Sequence, residues 1–237
     1  MPLYPLPRNL RAIFLSNIIS TTLWFCCLGR FSVLLPLLGR RFLPVAIADF
    51  FHVLSTLPLI TFFVVNLLGR NNHKASDFWG FFNGIRMVWI CYGVIYPHPK
   101  IAKHGSYLVL LVTWCIQNMI DSAYHAFKVK TRSSPMWLIR LHYCHFIVTV
   151  PISMISEMIL IFLSGHYEKN LVYDLFLDAC LLLYIPVSFF FFKHLLERKD
   201  EKYNKYLEKR RLIRSADTWF VASQGRDHLR TLAEIIK

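Results

Sequence analysis

The sequence predicts an all-α membrane protein, a polytopic bundle of six transmembrane helices. Of its 237 residues, 55% are hydrophobic and 17% are charged, whereas a soluble domain carries about 25% charged residues. Apolar runs of about 20 residues, the length that crosses the hydrocarbon core of a bilayer as a helix, recur along most of the chain. Together these observations exclude a disordered chain, a coiled coil and a simple soluble enzyme.

Six segments have the length and composition of a spanning helix, and short polar connectors such as GRNNHKASD separate them. In chain order they are residues 12–29, 42–68, 78–96, 107–127, 137–164 and 171–192. The first is interpreted as a spanning helix because the small-residue cleavage site of a signal peptide does not follow it. Residues 31–39 are apolar as well, which predicts either a longer first helix or a re-entrant turn near Pro36.

The basic residues near the helix ends predict the orientation. With six spans both termini share one side of the membrane, which receives fifteen Lys and Arg residues. The five counted on the other side are Arg40, Arg41, Lys100, Lys103 and Lys169. Because basic residues favour the cytoplasmic side, both termini are expected in the cytoplasm. The chain is thus divided into a six-helix membrane domain, 1–192, and a basic cytoplasmic tail, 193–237. The net charge of +13 then reflects orientation, with the tail as a topology anchor or a helix on anionic lipid, and no nucleic acid is expected.

Ionisable side chains within or near the spans predict a polar cavity inside the bundle. Each costs about 2.5–3.5 kcal/mol on insertion scales and usually faces the bundle interior. The set comprises Asp49, His52, Arg86, Asp121, Arg140, His142, His145, Glu157, Asp174 and Asp178. Some are expected to form structural ion pairs, such as Arg86 or Arg140 with Asp49 or Asp121. The set alone leaves catalysis, ion conduction and lipid binding open.

Glu157 is the strongest candidate for chemistry. It lies alone between the uncharged runs FIVTVPISMIS and MILIFLS, and a carboxylate in apolar surroundings is suited to general acid or base catalysis. Pro151, six residues earlier, is expected to kink this helix and free backbone groups that need polar neighbours. Asp49 and His52, three residues apart, share one helix face, where the carboxylate either orients the imidazole or joins it in a helix contact.

The six cysteines predict neither a metal centre nor a redox centre. All lie inside apolar runs, without the C-x-x-C spacing of zinc and redox sites. No cysteine is followed six residues later by the arginine that a Cys-x5-Arg phosphatase loop needs. They are therefore interpreted as small buried hydrophobic residues.

Three of the predicted helices carry motifs that resemble a known family. ADFFHVL is similar to an L-E-x-x-H motif, with Asp49 at the Glu position and His52 kept. NGIRMVWICYGVIYP places Arg86 on the Arg of a Ser-Arg motif that runs on to Phe-Pro, and TWCIQNMIDSAYHAF keeps Trp114 of W-S-x-x-E-x-I-R-Y-x-F. These motifs resemble the very-long-chain (3R)-3-hydroxyacyl-CoA dehydratases, the protein-tyrosine-phosphatase-like A family.

The fifth helix carries the most diagnostic motif. The family reads approximately L-R-Y-x-x-F-x-x-L-Y-P-x-G-x-x-x-E, and this chain reads LHYCHFIVTVPISMISE. Tyr143, Phe146, Pro151 and Glu157 fall on their counterparts. In the family the Tyr before the Pro and the closing Glu are the catalytic pair. The resemblance therefore implies that Glu157 is catalytic, while Val150 occupies the position of the tyrosine.

The resemblance implies a six-helix protein of the endoplasmic reticulum membrane that acts in very-long-chain fatty acid elongation. The implied reaction removes water from 3-hydroxyacyl-CoA to give trans-2-enoyl-CoA, with neither cofactor nor metal. The implied partners are this substrate, membrane lipid and other components of the fatty acid elongase. The alternative is a catalytically impaired member that binds acyl chains or supports an elongase complex.

Dehydration requires a second proton-transfer group, because one group removes the C2 proton and another protonates the departing C3 hydroxyl. Residue 150 and Glu157 are seven residues apart, so they lie on nearly the same helix face, about 10 Å from each other along the axis, and can reach one cavity. Valine, however, cannot transfer a proton. Candidates for the second group are Glu157 itself, Thr149, His145, His52 and Tyr124. The supporting polar residues are predicted to be Asp49, His52, Arg86, Tyr143 and Thr149.

Overall fold

The computed structural model describes residues 7–68, 78–131, 135–167 and 170–235, and all regular elements in these ranges are helices. Seven α-helices follow one another in the described part of the chain. They are α1 (Arg8–Ser55), α2 (Leu57–Leu68), α3 (Phe78–Val88), α4 (Gly105–Thr131), α5 (Met136–Cys144), α6 (Phe146–Tyr167) and α7 (Leu171–Ile235). A π-helical turn, Trp89–Ile95, extends α3, and a 3-10 turn, Ile101–Lys103, precedes α4.

The long helix α1 consists of two helical stretches that meet at Gly39. The backbone of Gly39 has φ 67° and ψ 169°, a conformation that essentially only glycine adopts without strain. The helix continues through Pro36 up to this point. Of the two predicted forms, the longer first helix is therefore the one observed, and the chain changes direction at Gly39.

Five of the described helical segments are long and apolar enough to cross a membrane, judged by length and composition. They are Arg8–Gly39, Ala46–Leu68, Phe78–Ile95, Met136–Tyr167 and Leu171–Lys205. The chain is a multi-pass membrane protein, but the predicted count of six spans is not exact. The remaining predicted segment, 107–127, forms α4, whose buried residues include the polar Thr113, Gln117 and Asn118 and therefore lower its hydropathy.

Helix α4 packs most extensively against α1 and α6. Aromatic rings form its contact with α1: Phe51 stacks on Trp114, with 5.6 Å between the ring centroids. Phe51 also meets Tyr107 edge-on at 5.7 Å and Trp24 edge-on at 6.3 Å. These interlocking rings hold Trp114 in a fixed orientation at the centre of the bundle.

Small residues let other helices approach closely. A Cβ atom added to Gly84 of α3 would lie 3.0 Å from the Cα of Leu59 in α2. Glycine therefore permits the close contact of these two helices, a common device where membrane helices pack. This contact holds α3 against α2 at Gly84, five residues before the π-helical turn begins at Trp89.

The chain divides into two compact units, residues 1–192 and residues 193–237. The first unit contains the apolar helices and their buried polar side chains. The second consists of the polar part of α7, where exposed ion pairs such as Lys205–Glu201, with 2.8 Å between Nζ and Oε1, connect successive helical turns. Exposed pairs of this kind contribute little to stability, because solvent screens the two charges.

Candidate active site

Glu157 lies in α6 and has no exposed surface. Helices α5 and α6 meet at His145, six residues before Pro151. Pro151 has no N–H and so removes one helical hydrogen bond from the early turns of α6. The break in the helix that was predicted near Pro151 lies at His145, about two turns earlier. Pro151 and Glu157 both lie within the continuous helix α6.

Three other helices supply polar partners to the Glu157 carboxylate. The Trp114 Nε1 of α4 donates a hydrogen bond to Oε1 at 3.1 Å, and the Arg86 Nη1 of α3 forms an ion pair with Oε1 at 3.5 Å. The Tyr184 hydroxyl of α7 donates a hydrogen bond to Oε2. We refer to Glu157, Arg86, Trp114 and Tyr184 as the carboxylate network.

Arg86 gives the network its positive charge. It is buried, its Nη2 donates to the Asn83 Oδ1 at 2.8 Å, and its guanidinium lies over the Phe191 ring, 5.5 Å from the centroid. The Arg86 Nε makes no hydrogen bond to the described part of the chain. A buried ion pair needs both partners, because loss of either one leaves an uncompensated charge in an apolar interior.

The π-helical turn Trp89–Ile95 begins three residues after Arg86. Such turns are rare and occur frequently at functional sites. The Tyr173 hydroxyl of α7 donates a hydrogen bond to the Gly93 carbonyl oxygen in this turn. Helix α7 thus forms hydrogen bonds with the rest of the bundle through two tyrosines, Tyr173 at the π-helical turn and Tyr184 at the carboxylate network.

Tyr184 is not among the site residues predicted from the sequence, although a signal for it is present. A tyrosine in the middle of an apolar helix needs a partner for its hydroxyl, and Tyr184 lies within such a run, two residues before Pro186. The sequence could not indicate which helix holds that partner. Val150, which the resemblance places at the position of the family's tyrosine, is completely buried and so occupies packed space.

The structure does not bring Asp49 and His52 into the carboxylate network. Asp49 is exposed, whereas His52 is buried beside the rings of Tyr92 and Tyr96, with 5.7 and 6.1 Å between centroids. Among the described residues, no hydrogen bond connects Asp49 with His52, and the His52 Nε2 has no hydrogen-bond partner. The proposed orientation of the imidazole by Asp49 is therefore not observed.

Tyr143 and Thr149 are also engaged elsewhere. The Thr149 hydroxyl donates to the His145 carbonyl oxygen of its own helix at 3.1 Å. Tyr143 lies against Tyr124 and His142, with 6.0 and 4.9 Å between ring centroids. Neither residue is a member of the carboxylate network.

A second polar cluster surrounds Asp121 in α4. Its Oδ1 lies 2.8 Å from the His142 Nδ1 and 3.7 Å from the His145 Nε2, and the His142 ring stacks on Tyr124 at 3.9 Å. The expected partners of Asp121 were Arg86 or Arg140. Instead, Arg86 pairs with Glu157, and two histidines one turn apart reach Asp121 from the α5–α6 junction.

The carboxylate network combines a proton acceptor, a proton donor and a fixed positive charge. Arg86 and the Trp114 N–H hold one carboxylate oxygen, while the other bonds to a phenol. Such an arrangement is suited to moving a proton between a carboxylate and a phenol without changing the total charge of the site. No cluster of three His, Cys, Asp or Glu side chains suited to a metal ion occurs in the described ranges.

A family model described as protein tyrosine phosphatase-like protein, PTPLA, matches residues 78–205. The match contains all four residues of the carboxylate network. It also contains the π-helical turn and the cluster around Asp121. No solved structure matches this chain.

Curated relatives match at 24–27% identity. The very-long-chain (3R)-3-hydroxyacyl-CoA dehydratase PASTICCINO 2 of Arabidopsis thaliana is 24% identical over 133 residues, which cover 50% of this chain and 60% of the relative. A probable very-long-chain (3R)-3-hydroxyacyl-CoA dehydratase of Schizosaccharomyces pombe is 25% identical over 206 residues, which cover 78% of this chain and 89% of the relative. The beta-1,6-glucan synthesis-associated protein KEG1 of Saccharomyces cerevisiae is 27% identical over 195 residues, which cover 76% of this chain and 92% of the relative.

The matched region, 78–205, is more than half of the chain. It runs from the start of α3 into the polar part of α7, and the predicted resemblance to the family is confirmed. The chain belongs to the PTPLA family of protein tyrosine phosphatase-like proteins.

Proposed function

We propose that this protein is a 3-hydroxyacyl-CoA dehydratase, a hydro-lyase that forms trans-2-enoyl-CoA in very-long-chain fatty acid elongation. The observation that carries the proposal is the buried Glu157 carboxylate, held by Arg86, Trp114 and Tyr184. The names of the plant and fission-yeast relatives support the same reaction. Glu157 is the catalytic residue of the proposal.

In the proposed reaction, Glu157 removes the proton from C2 of the acyl thioester. This proton is weakly acidic, and its removal places negative charge on the thioester oxygen. Arg86 has an N–H group at Nε without a protein partner among the described residues, and a positioned cationic donor stabilises such charge best where water is excluded. Arg86 thus positions the carboxylate and polarises the carbonyl.

The proposed location is the endoplasmic reticulum membrane, with both termini in the cytoplasm. The support is the excess of fifteen over five basic residues near the helix ends. In this orientation the basic tail faces the cytoplasm. The proposed partners are the acyl-CoA substrate, surrounding lipid and other components of the elongase.

The experiment is a dehydratase assay on the purified full chain in detergent or nanodiscs, with (3R)-3-hydroxypalmitoyl-CoA as substrate and trans-2-enoyl-CoA as the measured product. Glu157→Gln retains shape and removes the proton acceptor, so turnover per folded molecule is expected to fall at least about 10²-fold. Glu197→Gln is the matched control, because it removes an exposed carboxylate from an ion pair with Lys193. It is expected to leave turnover unchanged.

A second candidate function is that of a non-catalytic membrane scaffold that binds acyl chains or partner proteins. Two observations favour it: Val150 cannot transfer a proton, and Glu157 is fully enclosed by its partners. The relative named as a beta-1,6-glucan synthesis-associated protein, matched over 92% of its length, supports it as well. Wild-type protein without turnover, in which Glu157→Gln lowers stability, identifies this second function.

A further inference from the structure

Tyr184 places a phenol beside the only carboxylate of the network. It lies in α7, partly buried, and its hydroxyl donates a hydrogen bond to the Glu157 Oε2. The other oxygen, Oε1, is occupied by the Trp114 N–H and the Arg86 guanidinium. A substrate that reaches Glu157 from the side of Oε2 therefore meets Tyr184.

We propose that Tyr184 is the general acid of the dehydration, the role that Val150 cannot perform. The inference rests on the proposed function and extends it by a second catalytic residue from a different helix. In the family's pattern the tyrosine and the glutamate share one helix, seven residues apart. Here the phenol reaches the same carboxylate from α7.

The proton and electron balance of the reaction closes within the network. Glu157 takes the C2 proton, the C2–H electron pair becomes the C2=C3 double bond, and the C3–O bond breaks. The departing hydroxyl takes the phenolic proton of Tyr184 and leaves as water. The protonated Glu157 then returns its proton to the Tyr184 phenolate, directly between the two groups that are hydrogen-bonded in the resting state.

The charge of the network remains constant through this cycle. A single negative charge lies on the carboxylate at the start and on the phenolate after water has formed. Arg86 interacts electrostatically with both Glu157 and Tyr184, so its positive charge stabilises each form. Constant total charge matters in an apolar interior, where creating an unpaired charge is costly.

The test compares two leaving groups at C3. The probes are (3R)-3-hydroxypalmitoyl-CoA, whose hydroxyl must be protonated to leave, and 3-chloropalmitoyl-CoA, whose chloride leaves without a proton. Tyr184→Phe is expected to slow elimination of water at least about 10²-fold. The same variant is expected to eliminate chloride at the wild-type rate, after subtraction of the reaction without protein, because Glu157 still removes the C2 proton.

Tyr173→Phe is the matched control. It removes a phenol from the same helix, whose hydrogen bond goes to the Gly93 carbonyl oxygen and not to Glu157. It is expected to eliminate both groups at the wild-type rate. Glu157→Gln is expected to lose both eliminations.

Two results would overturn the inference while leaving the proposed function intact. One is a Tyr184→Phe protein that eliminates water at the wild-type rate. The other is an equal loss for water and chloride, which assigns Tyr184 to positioning. Wild-type protein that eliminates water from no substrate overturns the proposed function and this inference together.

A second variant keeps the test decisive if Tyr184→Phe does not fold. Difluorotyrosine at position 184 retains the shape and the hydrogen bond but makes the phenol more acidic. The alkaline limb of the kcat profile should then move to lower pH, since the phenol must be protonated to act. An unmoved limb overturns the role of general acid.

Discussion

Removal of the Arg86 charge should destabilise the bundle through Glu157. Arg86→Met retains much of the apolar length of the side chain and leaves the carboxylate without its cation. The two charges are 3.5 Å apart and almost completely buried. At an effective dielectric constant of about 20, unit charges at this separation attract by about 5 kcal/mol. Breaking a buried pair from one side costs about 3–5 kcal/mol, the loss expected for Arg86→Met.

A double-mutant cycle separates the ion pair from the other contacts of each side chain. Arg86→Met and Glu157→Gln each leave an unpaired buried group, whereas the double variant leaves no charge. The double variant should therefore be more stable than the sum of the two losses predicts, by about 2–3 kcal/mol. The measurement is the free energy of unfolding by SDS titration in mixed micelles.

The matched control is the exposed pair Lys193–Glu197 in α7. Its Nζ and Oε1 are 3.9 Å apart, and both side chains are more than half exposed. The cycle of Lys193→Met with Glu197→Gln should give a coupling of no more than about 0.5 kcal/mol. If the losses at Arg86 and Glu157 are additive, so that their coupling energy is as small as that of the control pair, the buried ion pair does not stabilise the bundle.

The orientation of the chain, the break at Gly39 and the packing of Val150 can each be tested. Reporters fused to either terminus should both be protease-accessible on the outside of sealed microsomes; termini on opposite sides would contradict an even number of spans. Gly39→Ala should lower the unfolding free energy by about 1–3 kcal/mol because of the positive φ, while Gly29→Ala, where an added Cβ meets nothing within 4 Å, should not destabilise the protein. Val150→Tyr should destabilise the bundle by about 1–3 kcal/mol in the same assay, since Val150 is fully buried; unchanged stability would show that the family's tyrosine still fits.

The helical architecture could be predicted from the sequence because apolar runs of spanning length carry their own signal. Hydropathy was least informative for α4. Its residues Gln117 and Asn118 are buried among other helices, and a helix enclosed by protein does not need the apolar composition that lipid requires. Hydropathy therefore predicts the position of α4 in the sequence but does not fix the number of spans.

The candidate site was predictable only where a single residue carries the signal. Glu157 is isolated in apolar sequence, and the structure places it at the centre of a polar network. Its partners Trp114 and Tyr184 are 43 and 27 residues away in sequence, and periodicity within one helix does not indicate which faces of different helices meet. The Asp49–His52 pair shows the converse, because a shared helix face does not ensure that two side chains bond.

Reversal of the proposed reaction in isotopically labelled water tests directly whether this protein is a dehydratase. Purified wild-type protein is incubated with trans-2-hexadecenoyl-CoA in water enriched in heavy oxygen, and the labelled 3-hydroxyacyl-CoA is measured by mass spectrometry. We expect a label at C3 with wild-type protein and its loss, by at least about 10²-fold, with Glu157→Gln. Folded wild-type protein that introduces no label above the Glu157→Gln level would contradict the assignment as a dehydratase.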